Sequence, residues 1–154
     1  MIVEKPKPMQ KKQEALGFAM EKTVKMMKQS FNRLLIMHPE IDITVDQWVL
    51  INILKKHGSL SQQELGELTF KDAPTVTRMI DLLVQKGITS RIPDVSDRRK
   101  FIILLNEAGI KIYYMIEPVV KEFRTAAYSN IPDEELILLE DILKKIFENL
   151  SKQN

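Results

Sequence analysis

The 154-residue sequence contains no cysteine, which excludes disulfide staples, thiolate metal sites, cysteine nucleophiles and thiol redox sensing together. Its only two histidines, His38 and His57, lie far apart, so no clustered-ligand metal site of the HExxH kind can be assembled and no cofactor is expected. With 5 glycines, 7 prolines and 6% aromatic residues, turn formers and strand formers are too few for a sandwich of many short strands. No glycine-rich phosphate loop and no partnered Ser, His and Asp are present, and the chain is read as having no enzymatic activity. No stretch approaches the ~20 apolar residues of a membrane span, and the reading is a cytoplasmic chain with no membrane partner.

What is present is material for helices and for a core. Hydrophobic residues make up 44% and charged residues 29% of the chain, enough apolar surface to fold and the size of one domain with extensions. The net charge is only +2, but it is unevenly placed. Residues 1–30 carry 7 basic and 3 acidic side chains, a net +4; residues 71–100 carry 7 and 4, a net +3; residues 133–150 carry 2 and 6, a net −4. Two basic segments and one acidic one point to an anionic partner for part of the surface.

Leu16, Met20, Val24, Met27, Phe31 and Leu34 recur at helical spacing until Pro39, predicting a long amphipathic first helix. Thr44 with Gln47, and Ser61 with Glu64, have the spacing of capping boxes, with Ile43/Trp48 and Leu60/Leu65 as their hydrophobic staples. They open a buried helix that ends at Gly58 and a short one that ends near Phe70. Asp72 caps a fourth helix with Pro74 in its first turn and Gly87 after its end. Its apolar stripe is Val76, Met79, Ile80, Leu83 and Val84, and Thr75, Thr77, Arg78 and Asp81 fall on the other faces.

The period then changes. Ile88 to Ile92 and Phe101 to Leu105 are β-prone runs around a polar turn, which predicts a two-stranded hairpin with a charged tip. Helical periodicity returns after Asn106, and a last helix begins near Pro132 with acids in its first turn and Leu136, Leu139, Leu143, Ile146 and Leu150 as its stripe. The fold class expected is mostly α with a small β-hairpin wing: a winged helix-turn-helix with N- and C-terminal dimerisation helices. In such a motif the third helix of the core lies in the DNA major groove and the hairpin reaches the backbone or minor groove.

Thr75, Val76, Thr77 and Arg78, then Lys86, Gly87 and Ile88, then Arg91, then Asp97, Arg98 and Arg99, and finally Leu105, Asn106, Glu107, Ala108 and Gly109 resemble the signature of the MarR family of bacterial transcriptional regulators. The motif match covers about residues 60–109, and the helix order extends it over most of the chain. The resemblance implies a homodimer on a palindromic double-stranded operator, acting as a repressor. It also implies sensing of a small, often aromatic molecule in a cleft beside the dimer helices.

The domains expected are a flexible basic leader over 1–12, a helical dimerisation region over 13–40 and 106–154, and the DNA-binding winged helix-turn-helix over 41–105. Candidate DNA contacts are Ser61, Gln62, Thr75, Thr77, Arg78, Arg91, Asp97, Arg98 and Arg99, of which Asp97 also suits a turn role. Phe31, Trp48, Tyr113 and Tyr114 are the candidate lining of an aromatic ligand site, although aromatic residues at helical spacing are commonly core. The competing reading is a winged-helix module that binds protein without DNA. It calls for an apolar or acidic outer face on the Asp72 helix, which the residues do not supply.

Overall fold

The computed structural model describes residues 8–153, with helices α1 (Pro8–Ile36), α2 (Val45–His57), α3 (Gln62–Thr69), α4 (Ala73–Gln85), α5 (Glu107–Ala127) and α6 (Asp133–Ser151). Three strands, β1 (Ser59–Ser61), β2 (Thr89–Pro93) and β3 (Phe101–Leu105), form one antiparallel sheet in the order β1-β3-β2. The hairpin is therefore two strands of a three-stranded sheet, with Leu60 opposite Ile103 and Arg91 opposite Ile103 from the other side. The chain divides into two compact units, one running to Phe123 and the other starting at Arg124. Among the described residues no helix is long and apolar enough to cross a membrane.

Residues 8–12, which the expected leader over 1–12 includes, are helical in α1. A proline suits the first helical position, where its missing N–H has no intrahelical partner to lose. Residues 1–7 of that leader lie outside the described residues.

Local capping follows the sequence. The Thr44 hydroxyl accepts the Gln47 amide at 3.2 Å and the Gln47 side chain accepts the Thr44 amide at 3.1 Å. Ser61 and Glu64 repeat the reciprocal pair at 3.2 and 2.7 Å. Asp72 accepts the Thr75 amide at 2.8 Å to start α4. At the other end of α4, Gly87 takes a φ of 70° and Ile88 donates back to the Leu83 carbonyl at 2.9 Å. That turn releases the chain into β2.

The core of the first unit is built from Leu50, Ile51 and Leu54 of α2, Leu65 of α3, Val76, Ile80 and Leu83 of α4, Ile103 of β3 and Ile116 of α5, with Phe31 and Leu35 from the end of α1. The stripe expected on α4 holds except at Val84, which is exposed. Helix α5 starts on a close backbone approach: a Cβ at Gly109 would collide with the Ile88 carbonyl. Gly109→Ala is therefore expected to destabilise the protein by roughly 1–3 kcal/mol, the usual range for overpacking. Urea unfolding of the variant checks this, and an unchanged midpoint would show that the first turn of α5 has room to spare.

Candidate nucleic-acid interface

Helices α3 and α4 and the β2–β3 hairpin, with the Ser61 cap, carry every candidate DNA residue, and internal hydrogen bonds sort them. The Ser61 side chain is engaged as a cap. Gln62 donates through Nε2 to the Thr77 hydroxyl at 3.1 Å, and Thr77 in turn donates to the Ala73 carbonyl at 2.9 Å, which ties α3 to α4. Thr75 donates its hydroxyl to Asp72 at 2.9 Å. Both threonine hydroxyls retain acceptor capacity, but their protons are committed. Arg78 is exposed and is held by no hydrogen bond or ion pair among the described residues.

The tip of the hairpin is folded by its acids. Asp94 accepts from the amide and hydroxyl of Ser96 at 2.8 and 2.7 Å, and Asp97 accepts from the amide of Arg99 at 3.0 Å and its Nε at 3.4 Å. The Asp94 amide and the Lys100 carbonyl close the turn at 2.9 Å. Arg98 and Arg99 project from this frame, the Arg99 side chain 92% exposed. Arg91 differs from Arg78, Arg98 and Arg99 in reaching another element, its Nη2 2.6 Å from Asp81 on α4. Between α3 and the wing lies an open groove of about 770 Å3, lined among others by Ser61, Gln62, Glu64, Asp94, Arg99 and Lys100.

Three of these acids titrate low. The Thr75 amide and hydroxyl hold the Asp72 carboxyl below the usual carboxylate range, the Ser96 amide and hydroxyl do the same to Asp94, and the Ser61 amide does so to Glu64. In each case a donated N–H favours the charged form.

The aromatic candidates are brought together in part. Trp48 stacks on Tyr113 with centroids 5.3 Å apart, and Tyr114 meets Tyr113 edge-on at 5.4 Å, whereas Phe31 pairs with Phe123 at 5.2 Å. Phe31 and Trp48 are buried, Tyr113 is half-buried and Tyr114 is exposed. Burial, with Glu117 nearby, pushes the Tyr113 hydroxyl upward.

Two lysines carry no mark of their role in the sequence. Lys55 Nζ lies 5.3 and 5.4 Å from the Tyr113 and Tyr114 ring centroids. Lys86 Nζ donates to the Asp42 carbonyl at 2.6 Å and the buried Gln47 side chain at 3.4 Å, and pairs with the Asp42 carboxylate at 3.1 Å, joining the end of α4 to the start of α2. A lysine in the last turn of a helix, or just before a glycine, is ordinary on the surface of any helix, and in both cases the partner lies far along the chain.

The profile of the MarR family matches residues 43–101, from just before α2 to the first residue of β3. The multiple antibiotic resistance protein MarR of Escherichia coli is 28% identical over 125 residues, 80% of this chain and 87% of that one. A mutant of that protein solved in complex with operator DNA superimposes with a TM-score of 0.79 at 26% identity, over 86% of this chain and 93% of the other. Over this stretch the chain is similar to the MarR family. It is thus a DNA-binding transcriptional regulator and not an enzyme. The transcriptional repressor NicR of Pseudomonas putida is 26% identical over 107 residues, 70% of this chain and 68% of that one. Bordetella bronchiseptica BpsR, whose DNA binding is regulated by 6-hydroxynicotinic acid, shares the fold with a TM-score of 0.76 at 20% identity, over 84% and 91% of the two chains.

The lowered acids give the chain a pH signature. Because the folded values of Asp72, Asp94 and Glu64 lie below their unfolded ones, the stabilisation they bring is complete above the ordinary carboxylate range, roughly pH 4, and is lost as pH falls through the folded values. Asp72→Asn combined with Asp94→Asn, which keeps the amide-accepting oxygens, is expected to lose less stability than the parent on acidification. Urea titrations across that range check it, and parallel pH curves for the two proteins would show that these caps do not titrate differently on folding.

Proposed function

We propose that the chain is a repressor that binds a palindromic operator as a homodimer in the cytoplasm, with α4 in the major groove and the hairpin on the phosphates. The observation that carries this reading is the division among the arginines: Arg78 on α4 and Arg98 and Arg99 on the wing stand exposed, while the acids around them are consumed in caps and turns. Guanidinium groups so placed suit guanine edges and phosphates. Ser61, Gln62, Thr75 and Thr77 then serve mainly to hold α3 and α4 in place, with acceptor lone pairs left over for the duplex.

Dimerisation is supported by apolar surface that each unit leaves open. No residue of α6 is buried, and Ile137, Leu138, Leu139, Ile142, Leu143 and Leu150 are 43% to 61% exposed. In the first unit Leu16, Phe18 and Val24 of α1 are likewise exposed. Exposed apolar residues grouped on a helix in this way commonly mark a protein–protein interface. The operator complex of E. coli MarR and the repressor NicR lend this reading their weight.

Selection of bound duplexes from a random pool is expected to return two inverted half-sites about one helical turn, ~34 Å, apart. Arg98→Ala should weaken binding to all duplexes and reduce the salt dependence by roughly one unit for each phosphate left unneutralised per subunit. Arg78→Ala should cost about 1–3 kcal/mol on the selected sequence and little on random DNA. Single half-sites bound as tightly as paired ones would rule out the dimer. A chain that binds no duplex at all would favour the protein-binding alternative.

Release by a small aromatic acid is the second part of this reading, and the contact between Lys55 and the tyrosines favours it. The ammonium over Tyr113 and Tyr114, beside the Trp48 ring, offers a cation and a π surface for a carboxylate attached to a ring. A tenfold loss of operator affinity requires only about 1.4 kcal/mol of coupling between the two sites. An aromatic monocarboxylate such as 6-hydroxynicotinic acid, or benzoate, is expected to raise the melting temperature and weaken operator binding, with Lys55→Met and Trp48→Phe blunting both effects. If a panel of such acids left melting temperature and affinity unmoved, the aromatic set would be core packing alone.

A further inference from the structure

Among the interface arginines, Arg99 meets the Asp97 of its own turn, whereas Arg91 is held by a carboxylate of another element. Its Nη2 lies 2.6 Å from Asp81 Oδ1, its guanidinium carbon lies 5.9 Å from the Phe101 ring centroid, and its Nε is buried without a hydrogen-bond partner. Its side chain is 29% exposed, against 92% for Arg99. A guanidinium laid on an aromatic ring and joined to a carboxylate is fixed in orientation, unlike an extended side chain in water.

The two residues it joins matter for what α4 presents. Asp81 follows Thr77 by four residues and Arg78 by three, so it neighbours both on the helix surface. An unpaired carboxylate there would repel phosphates and would be the natural partner of Arg78 at the i, i+3 spacing. The structure resolves this competition in favour of Arg91, which arrives from β2 and leaves Arg78 without an ion pair among the described residues. The Arg91–Asp81 contact ties the hairpin to α4, because Arg91 lies in β2 and Asp81 in α4, while Phe101, at the outer end of β3 opposite Pro93, steadies the guanidinium from within the hairpin.

We propose that Arg91 is a positioning residue and not a phosphate contact: by holding Asp81 and resting on Phe101 it sets the wing against α4 and keeps Arg78 free for the duplex. The proposal rests on the DNA-binding reading above. It assigns Arg91 a task opposite to that of Arg98 and Arg99, although all three are arginines of one hairpin.

Operator and random-sequence affinities measured over a range of salt, with the full-length dimer, separate the two roles. Arg91→Ala is expected to lower operator affinity roughly tenfold or more, on the scale of one base contact. Its salt slope should stay at the parent value, and random DNA should be bound nearly as before. Adding Asp81→Asn to Arg91→Ala removes the freed carboxylate and is expected to restore part of the operator preference. Arg91→Lys keeps a cation that seeks phosphates but loses the planar fork and its stacking, and so is expected to lose preference for the operator while binding random DNA normally. That variant decides the matter should Arg91→Ala fold poorly.

A fall in slope of ~0.9 for each phosphate left unneutralised, no rescue by Asp81→Asn, or full function in Arg91→Lys would make Arg91 an ordinary phosphate ligand and overturn the proposal. Failure of the parent itself to bind any duplex would instead overturn the DNA-binding reading, and this proposal with it.

Discussion

Helix α4 and the hairpin hang from one backbone junction, where α4 ends, β2 begins and α5 starts. Asn106 holds it, donating through Nδ2 to the Gly87 carbonyl at 2.7 Å, accepting the Gly109 amide at 2.9 Å, and donating its own amide to the Ile88 carbonyl at 3.2 Å. One side chain thus satisfies the exposed end of one helix and the bare start of another, groups that otherwise need water. The geometry also accounts for the two glycines: Gly87 turns with a positive φ, and Gly109 has no side chain because Ile88 lies against it. Helix α4, the wing and the first turn of α5 are therefore tied together at this one point. Lys86 extends the same piece to α2 by reaching the Asp42 carbonyl and the capping Gln47.

Charge is divided by task around this junction. The acids Asp72, Asp94 and Asp97 turn inward along the chain, onto amides and hydroxyls two or three residues away, and so act as fasteners for turns and helix starts. The bases either bridge elements, as Lys86 and Arg91 do, or stand clear, as Arg78 and Arg98 do. A surface approaching a polyanion is served by this arrangement, since the fixed negative charge has its donors and the loose charge is positive.

Much of the fold was legible because its signals are local. The boxes at Thr44 and Ser61, the cap at Asp72 and the release at Gly87 each need only four consecutive residues to be recognised, and the structure shows each of them. Strand β1 was not legible: three residues with a single buried Leu60 give no alternation, and pairing with Ile103 is decided more than forty positions away. The start of α1 at Pro8 was obscured because proline ends helices as readily as it begins them. Among the site residues, the sequence marks which side chains are basic but not which of them are already taken. Arg91 and Arg98 look alike until Asp81 is seen to face one of them.

The sheet has two free edges, and both are poor templates for another strand. Strand β1 is only three residues long, and β2 ends at Pro93, which has no amide to donate. Sheet edges in natural proteins are commonly blunted in these two ways, since an open ladder recruits strands from neighbouring molecules. A hairpin proposed to reach the phosphates cannot be hidden beneath a helix or a loop. Shortness at one border and proline at the other allow it to remain uncovered at high concentration without seeding aggregates of its own kind.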